Sequence, residues 1–292
     1  MPLDQNRTRA VFQQLGRRLG KLAHQLRPED VHHYRTCTRR LQALLEEVAP
    51  KPGRNEKKLL KALNRLRRRA GRVRDLDVQI AALRNLKIPQ EPGRKAQLLH
   101  TLTEMRAGRE RKLHESMDSK TLRGLRKRVK KAARNFHSSD TADPIALART
   151  IFVQVARVQT PLTEEVLHRY RLQGKRVRYV VELGGETPEA EPMLQALKQM
   201  QDVLGDWHDW QMLSQSAEKI LHEAERSALL AALRNVTRAK YRHAVLVVTN
   251  SRGKLLSVPN VVTMDNQAGA PSGPVARRQP SGVRPVAVAA TA

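Results

Sequence analysis

The residues best suited to chemistry are cations and histidines that occur twice in one pattern. His32, Arg35, Arg39 and Arg40 match His168, Arg171, Lys175 and Arg176 at an offset of 136 residues. The second copy runs on to Arg178 and Tyr179. The match continues through apolar positions, Leu41 with Val177, Leu44 with Val180 and Leu45 with Val181. A second block follows in each half. Leu63, Leu66, Gly71, Arg74-Asp75 and Val78 match Leu197, Met200, Gly205, His208-Asp209 and Met212 at an offset of 134. Two ordered blocks with nearly equal separation are hard to obtain by chance. They imply two similar halves related by a pseudo-twofold axis.

Placed on a helix at about 100° per residue, each copy has an apolar stripe and, roughly opposite, a cationic one. In the second copy His168, Arg171, Lys175, Arg178 and Tyr179 share about 100° of arc. An ordinary exposed helix face would look similar once, but not twice with a leading histidine. Acidic i,i+4 partners that would neutralise such a face are read as absent from both stripes. The chemistry on offer is anion binding, because an arginine fork grips two oxygens while lysine acts as a movable point charge.

Catalysis is not expected. His208-Asp209 is an HD dipeptide, the pair used by metal-dependent phosphohydrolases. Its repeat counterpart is Arg74-Asp75, and arginine is not a metal ligand, so the position reads as structural or anion-facing. No G-x-x-x-x-G-K-[ST] phosphate loop and no E-x-E-x-K strand occurs. The reading is therefore a binding protein, not an enzyme, with no catalytic residue, no metal and no cofactor. Cys37 lies in a cationic helix that could depress its thiol pKa, but a small buried residue fits the apolar period better. As the single cysteine it excludes an internal disulfide.

Composition agrees with an anionic partner. The 292 residues hold 55 Lys+Arg against 28 Asp+Glu, a formal net charge of +27. Residues 1–139 carry 36 of the cations and 13 of the acids, so the field is skewed to the first half. The densest runs are Arg65 to Arg74 and Arg123 to Arg134. Such a chain repels itself unless a polyanion is bound, and the partner classes are nucleic acid, inorganic polyanion or anionic membrane. Aromatic residues are only 3%, which weakens base stacking as a binding mode. No apolar run reaches the roughly 20 residues of a membrane span. The start has no apolar signal region, so a cytoplasmic location is expected.

The elements that carry these residues read as helices throughout. Apolar residues recur at three- and four-residue spacing, predicting helices near 5–26, 29–48, 55–86, 93–117, 119–137, 142–158, 162–184, 190–222 and 223–248. The eighth is expected to break near Gly205, and Asp30 and Asn55 to cap helix starts. Short connections favour antiparallel neighbours. The expected organisation is a helical domain over 1–249, with halves of about 5–139 and 140–249, then a tail over 250–292 rich in Gly, Pro, Ala, Val and Ser that reads as disordered.

These blocks resemble the CHAD family, the conserved histidine α-helical domain. The hallmark H-x-x-R-x-x-x-[RK]-R stands here as His32-Arg35-Arg39-Arg40 and His168-Arg171-Lys175-Arg176, with Arg178-Tyr179 continuing it. RVRDLDV and LKQMQDVLGDWHD resemble the family's second block, and the likeness covers roughly residues 5–248. It implies an all-α fold of two pseudo-symmetric four-helix bundles with a basic central groove, and binding of inorganic polyphosphate at cytoplasmic polyphosphate granules. One departure is that the segment from Gln201 to His208 is poor in cations where the first half has Arg67, Arg68, Arg69, Arg72 and Arg74.

Polyphosphate has no bases to read, so a binder needs closely spaced cations on a rigid frame. Displaced counterions supply much of the free energy, so affinity falls steeply with salt. The leading candidates are His32, Arg35, Arg39, His168, Arg171, Lys175 and Arg178. Arg40, Arg74, Arg176, Tyr179 and His208 follow, with the Arg123–Arg134 helix third. Arg40 and Arg176 lie at the stripe's edge, where an ion pair is an equal reading. The histidines are neutral donors at pH 7 and cations below about pH 6.5. Asp75 and Asp209 read as groups that orient arginines. The competing partner is nucleic acid, bound non-specifically through its backbone.

Overall fold

Among the described residues nine α-helices carry the chain, and several begin at a local signal. α1 (Gln5–His24) buries Val11, Phe12, Leu15, Leu19 and Leu22 along one face. α2 (Pro28–Ala43) starts with proline in its first turn, where a missing N–H costs nothing, and with Glu29 and Asp30 near the positive end of its dipole. It runs on into a single π-helical segment, Leu44–Val48. α3 (Arg54–Asn85) is followed by α4 (Pro92–Glu115) and α5 (Ser119–Asn135), whose start is capped by Asp118 accepting from the Thr121 N–H. α6 (Pro144–Ala156) is capped by Asp143, and α7 (Glu164–Leu183) by Thr163. α8 (Ala190–Leu221) and α9 (Ala228–Leu256) close the fold. The Glu91 carboxylate reaches across to accept from the Leu229 N–H at 3.0 Å and the Ser227 hydroxyl at 2.7 Å, so it caps α9.

This computed structural model describes residues 3–24, 26–49, 51–136, 143–157, 161–185, 187–222 and 227–256. The described residues are all-α and fall within one unit, Met1–Ser257. The boundary expected near Ser138 lies outside them, as does the tail from residue 257.

The repeat is visible in the packing. α3 pairs with α8 and α2 with α7 across the two halves, as a pseudo-twofold requires. Matched positions are buried alike: Val31 and Leu167, Tyr34 and Tyr170, Leu41 and Val177, Leu63 and Leu197, Leu66 and Met200. The cores do not divide as one per half, however. The larger apolar cluster draws on α1, α2, α5, α6, α7 and the N-terminal parts of α3 and α8 together. The smaller joins Leu76, Ile80 and Leu83 of α3 to Leu98 and Leu102 of α4, Leu213 of α8 and Leu229, Leu230 and Leu233 of α9. The two clusters are shared between the halves, and the long helices α3 and α8 each run through both.

Three smaller expectations are corrected. α8 is continuous through Gly205, since Leu204 and Trp207 anchor it on either side at 0% exposure. Asp30 and Asn55 are not caps. Arg27 and Gly53 hold those positions, Asp30 faces Arg18 at 3.7 Å, and the Asn55 amide donates to the Arg128 carbonyl of α5 at 3.2 Å. α9 runs to Leu256, because Val248, Ser251 and Leu255 keep a buried face beyond the expected stop.

Candidate functional site

The buried apolar stripes of α2 and α7 fix which way their opposite stripes face. Tyr34, Leu41 and Leu44 in one copy, and Tyr170, Val177 and Val180 in the other, are all at most 1% exposed. Arg35, Arg39, Arg171 and Lys175 are left half-buried. They lie near enough to act on one another across the repeat. Arg171 of α7 is held below its ordinary pKa by burial first, with Arg39 and Arg35 of α2 adding repulsion and Asp209 and Asp75 opposing them. Lys175 is pushed down to about 7, again by burial and then by Arg171, Arg39 and Arg35. Arg35 is lowered by burial and by Arg39 and Arg74. His32 is lowered by burial, Arg74, His33, Arg35 and Lys175. The two copies therefore turn toward a common locus.

Charges there are sparsely compensated. Arg39, Arg74, Arg171 and Lys175 form no ion pair within 4.0 Å among the described residues. Arg171 Nε is buried without a hydrogen-bond partner, and so is His208 Nδ1. The first copy has one contact. Arg35 Nη1 lies 3.8 Å from Asp75 Oδ1 and passes over Gly71, where any added Cβ would collide with it. This fits the expectation for Asp75, that it orients an arginine. Asp209 is buried enough to raise its pKa, with Arg171 and Lys175 opposing the rise.

The histidines divide. His32 is exposed, with its ring 5.8 Å from that of His33. His168 and His208 meet with ring centroids 5.4 Å apart. Burial and the neighbouring Arg171 push His208 down to about 4, and burial with Arg171 and Lys175 lowers His168. Titration near pH 6.5, expected for all three, therefore falls lower, because each would have to charge where burial strips away water and neighbouring cations repel it.

The remaining candidates sit apart from the uncompensated cluster. Arg40 Nε and Arg178 Nε each donate to Glu182 at 2.9 Å, and Arg178 Nη1 donates to Gln201 Oε1 at 3.2 Å. Glu182 is the i+4 acid of Arg178, so the expectation that such partners are absent fails there. Arg176 grips Glu47 with two hydrogen bonds of 2.6 Å. Arg40, Arg178 and Tyr179 line a groove of about 820 Å³ with Arg7, Leu194 and Lys198. Tyr179 also reaches the field of Arg35, so it stands between this groove and the cluster. Cys37 is buried, which raises its thiol pKa. Among the described residues, no group of three His, Cys, Asp or Glu side chains could hold a metal ion. Nor is any described helix long and apolar enough to cross a membrane.

Sequence reasoning missed Arg67. It is half-buried one turn before Gly71, and among the described residues its side chain donates only to Asn64 Oδ1, at 3.1 and 3.3 Å. Burial, Arg39 and Arg35 lower its pKa, which places it beside the cluster. Its i−4 spacing from Gly71 was the available signal.

The family model of the CHAD domain matches residues 7–218. The chain belongs to the CHAD domain family. Two solved structures share the fold. The crystal structure of the CHAD domain from the plant Ricinus communis has a TM-score of 0.64 and 18% identity, covering 85% of this chain and 89% of that one. PptA from Streptomyces chartreusis has a TM-score of 0.62 and 17% identity, covering 85% and 95%. No curated protein matches the sequence. Within this CHAD domain the doubled histidine–arginine motif supplies Arg39, Arg171 and Lys175 of the cluster, and the second block supplies Arg74.

Proposed function

We propose that the protein binds inorganic polyphosphate at the locus where α2, α3 and α7 meet, and that it is a binder and not an enzyme. The observation carrying this reading is the group Arg39, Arg74, Arg171 and Lys175, contributed by both halves and forming no ion pair within 4.0 Å among the described residues. Holding half-buried cations together costs free energy in the empty protein. A multivalent anion removes that cost and gains charge-assisted hydrogen bonds. A thin single chain suits cations that are partly buried, because its phosphates can follow them inward. The phosphates of a duplex lie on the outside of a stiff cylinder and meet protruding side chains first.

A second reading, non-specific binding of nucleic-acid backbones, draws on α5. Its Arg123, Arg126, Lys127, Lys130, Lys131 and Arg134 are exposed, and the helix has no acidic residue. Competition separates the two. Labelled duplex DNA and long-chain polyphosphate are offered at equal phosphate concentration and physiological salt, and polyphosphate is expected to displace the DNA. DNA prevailing overturns the first reading. Association with polyphosphate granules in the cytoplasm would follow from the same contacts. A fluorescent fusion that stays diffuse in polyphosphate-loaded cells removes that part.

A further inference from the structure

The cations around the cluster are not arranged alike in the two halves. On α3 the face i, i+4, i+7 reads Arg67, Gly71, Arg74, while on α8 it reads Gln201, Gly205, His208. At 1.5 Å rise per residue, Arg67 stands about 6 Å beyond Gly71 along the axis of α3, on the side away from Arg74. Arg35 lies over Gly71 between them. Arg67 therefore extends the row by one step past Arg35, beside Arg39. The equivalent step in the second half is closed. Gln201 is buried, donates to the Gly174 carbonyl at 2.8 Å and accepts from Arg178.

Arg67 also faces open space. With Arg39, Leu172, Gln173, Arg176 and Tyr179 it lines a groove of about 210 Å³ that opens beside the cluster. Glu46 and Glu47 also line it, and Arg176 holds Glu47 through two hydrogen bonds of 2.6 Å. An anionic chain continuing from Arg39 into this groove is thus met by Arg67. Asn64 is a neutral partner and leaves the Arg67 charge uncompensated.

We propose that this groove is a one-sided extension subsite, in which Arg67 holds phosphate units of a polyphosphate chain that continues beyond the central cluster. The inference rests on the polyphosphate reading and adds direction and length to it. Chains long enough to reach from Arg171 to Arg67 gain the contact, and short ones seated at the cluster do not.

The test compares the wild-type protein with Arg67→Gln and Arg67→Lys, titrated with tripolyphosphate and with polyphosphate of about 100 units. For Arg67→Gln, long-chain affinity is expected to fall about fivefold and the salt slope of long-chain binding by about one. Tripolyphosphate affinity stays within about twofold, and Arg67→Lys recovers most of the long-chain loss. The Tm of unliganded Arg67→Gln should hold or rise, because a repelled cation has been removed; a fall would assign Arg67 a structural role and overturn the subsite. Equal losses for both lengths would make Arg67 part of the cluster, and no loss for either would leave the groove empty of ligand. Each overturns the proposal. Wild-type protein that binds neither polyphosphate would instead defeat the parent reading.

Discussion

Arg35 and Arg171 occupy the same place in the two copies of the motif, yet they are held differently. Arg35 rests over Gly71 and reaches Asp75 at 3.8 Å. Gly205, the matching glycine, has no side chain within 4 Å where its Cβ would stand, and Arg171 keeps a buried Nε with no partner. The same sequence pattern thus yields one arginine partly satisfied within the protein and one left waiting. The difference teaches that duplication preserved the apolar stripes, which packing demands, while the cationic stripes drifted apart. Binding strength should accordingly be spread unevenly between the halves.

Charge reversal probes that unevenness most strongly. The double variant Arg35→Glu/Arg171→Glu is expected to abolish the rise in Tm that long-chain polyphosphate gives the wild type, with helicity by circular dichroism unchanged. A rise that survives would move the site elsewhere. Between single variants, Arg171→Glu should weaken binding more than Arg35→Glu, since among the described residues only Arg35 of the two has a carboxylate within 4.0 Å. Equal losses measured by calorimetry would erase the distinction between the two copies.

Lys175 sharpens the comparison through pH. Its counterpart is Arg39, so only the second half can shed this proton. Its folded pKa of about 7 lies below the ordinary 10.5, so unfolding takes up a proton between those values. Stability from this group consequently rises with pH across that window, and its penalty is complete below pH 7. Lys175→Met should raise the Tm of the free protein at pH 6 and leave it nearly unchanged at pH 10.5. Polyphosphate binding should take up a proton near pH 8, seen as a buffer-dependent heat, and weaken as pH rises. A pH-independent gain in the variant would mean that lost charge is not its cause.

The glycines give the smallest effect. Gly205→Ala meets nothing within 4 Å and should stabilise the protein by about 0.5–1 kcal/mol. Gly71→Ala must displace the end of the Arg35 side chain, so its stability gain should be smaller and polyphosphate affinity should drop. Identical behaviour of the two variants would show that Arg35 does not depend on its glycine seat.

Much of this was readable in the residues. The three- and four-residue apolar period located every helix, because a buried stripe leaves that trace whatever packs on it. The doubled motif located Arg35, Arg39, Arg171 and Lys175, because cations kept off the apolar stripe twice in register point the same way. Partners distant in sequence were not readable. Glu47 reaches Arg176 across 129 residues, and Glu182 reaches Arg40 across 142. Glu182 beside Arg178 was visible as an i+4 pair, but its double engagement depends on how α2 and α7 cross. The merging of the cores also escaped the sequence, since periodicity within a helix says nothing about which end meets which neighbour. The continuity of α8 at Gly205 follows from burial on both sides, which outweighs the propensity cost of one glycine.

The helices α3 and α8 each span 32 residues and serve as girders through both apolar clusters. Neither cluster can loosen without releasing the other's walls. Melting should therefore appear as one sharp event, and tension applied by a polymer tethered at the basic locus would be borne by the whole scaffold at once.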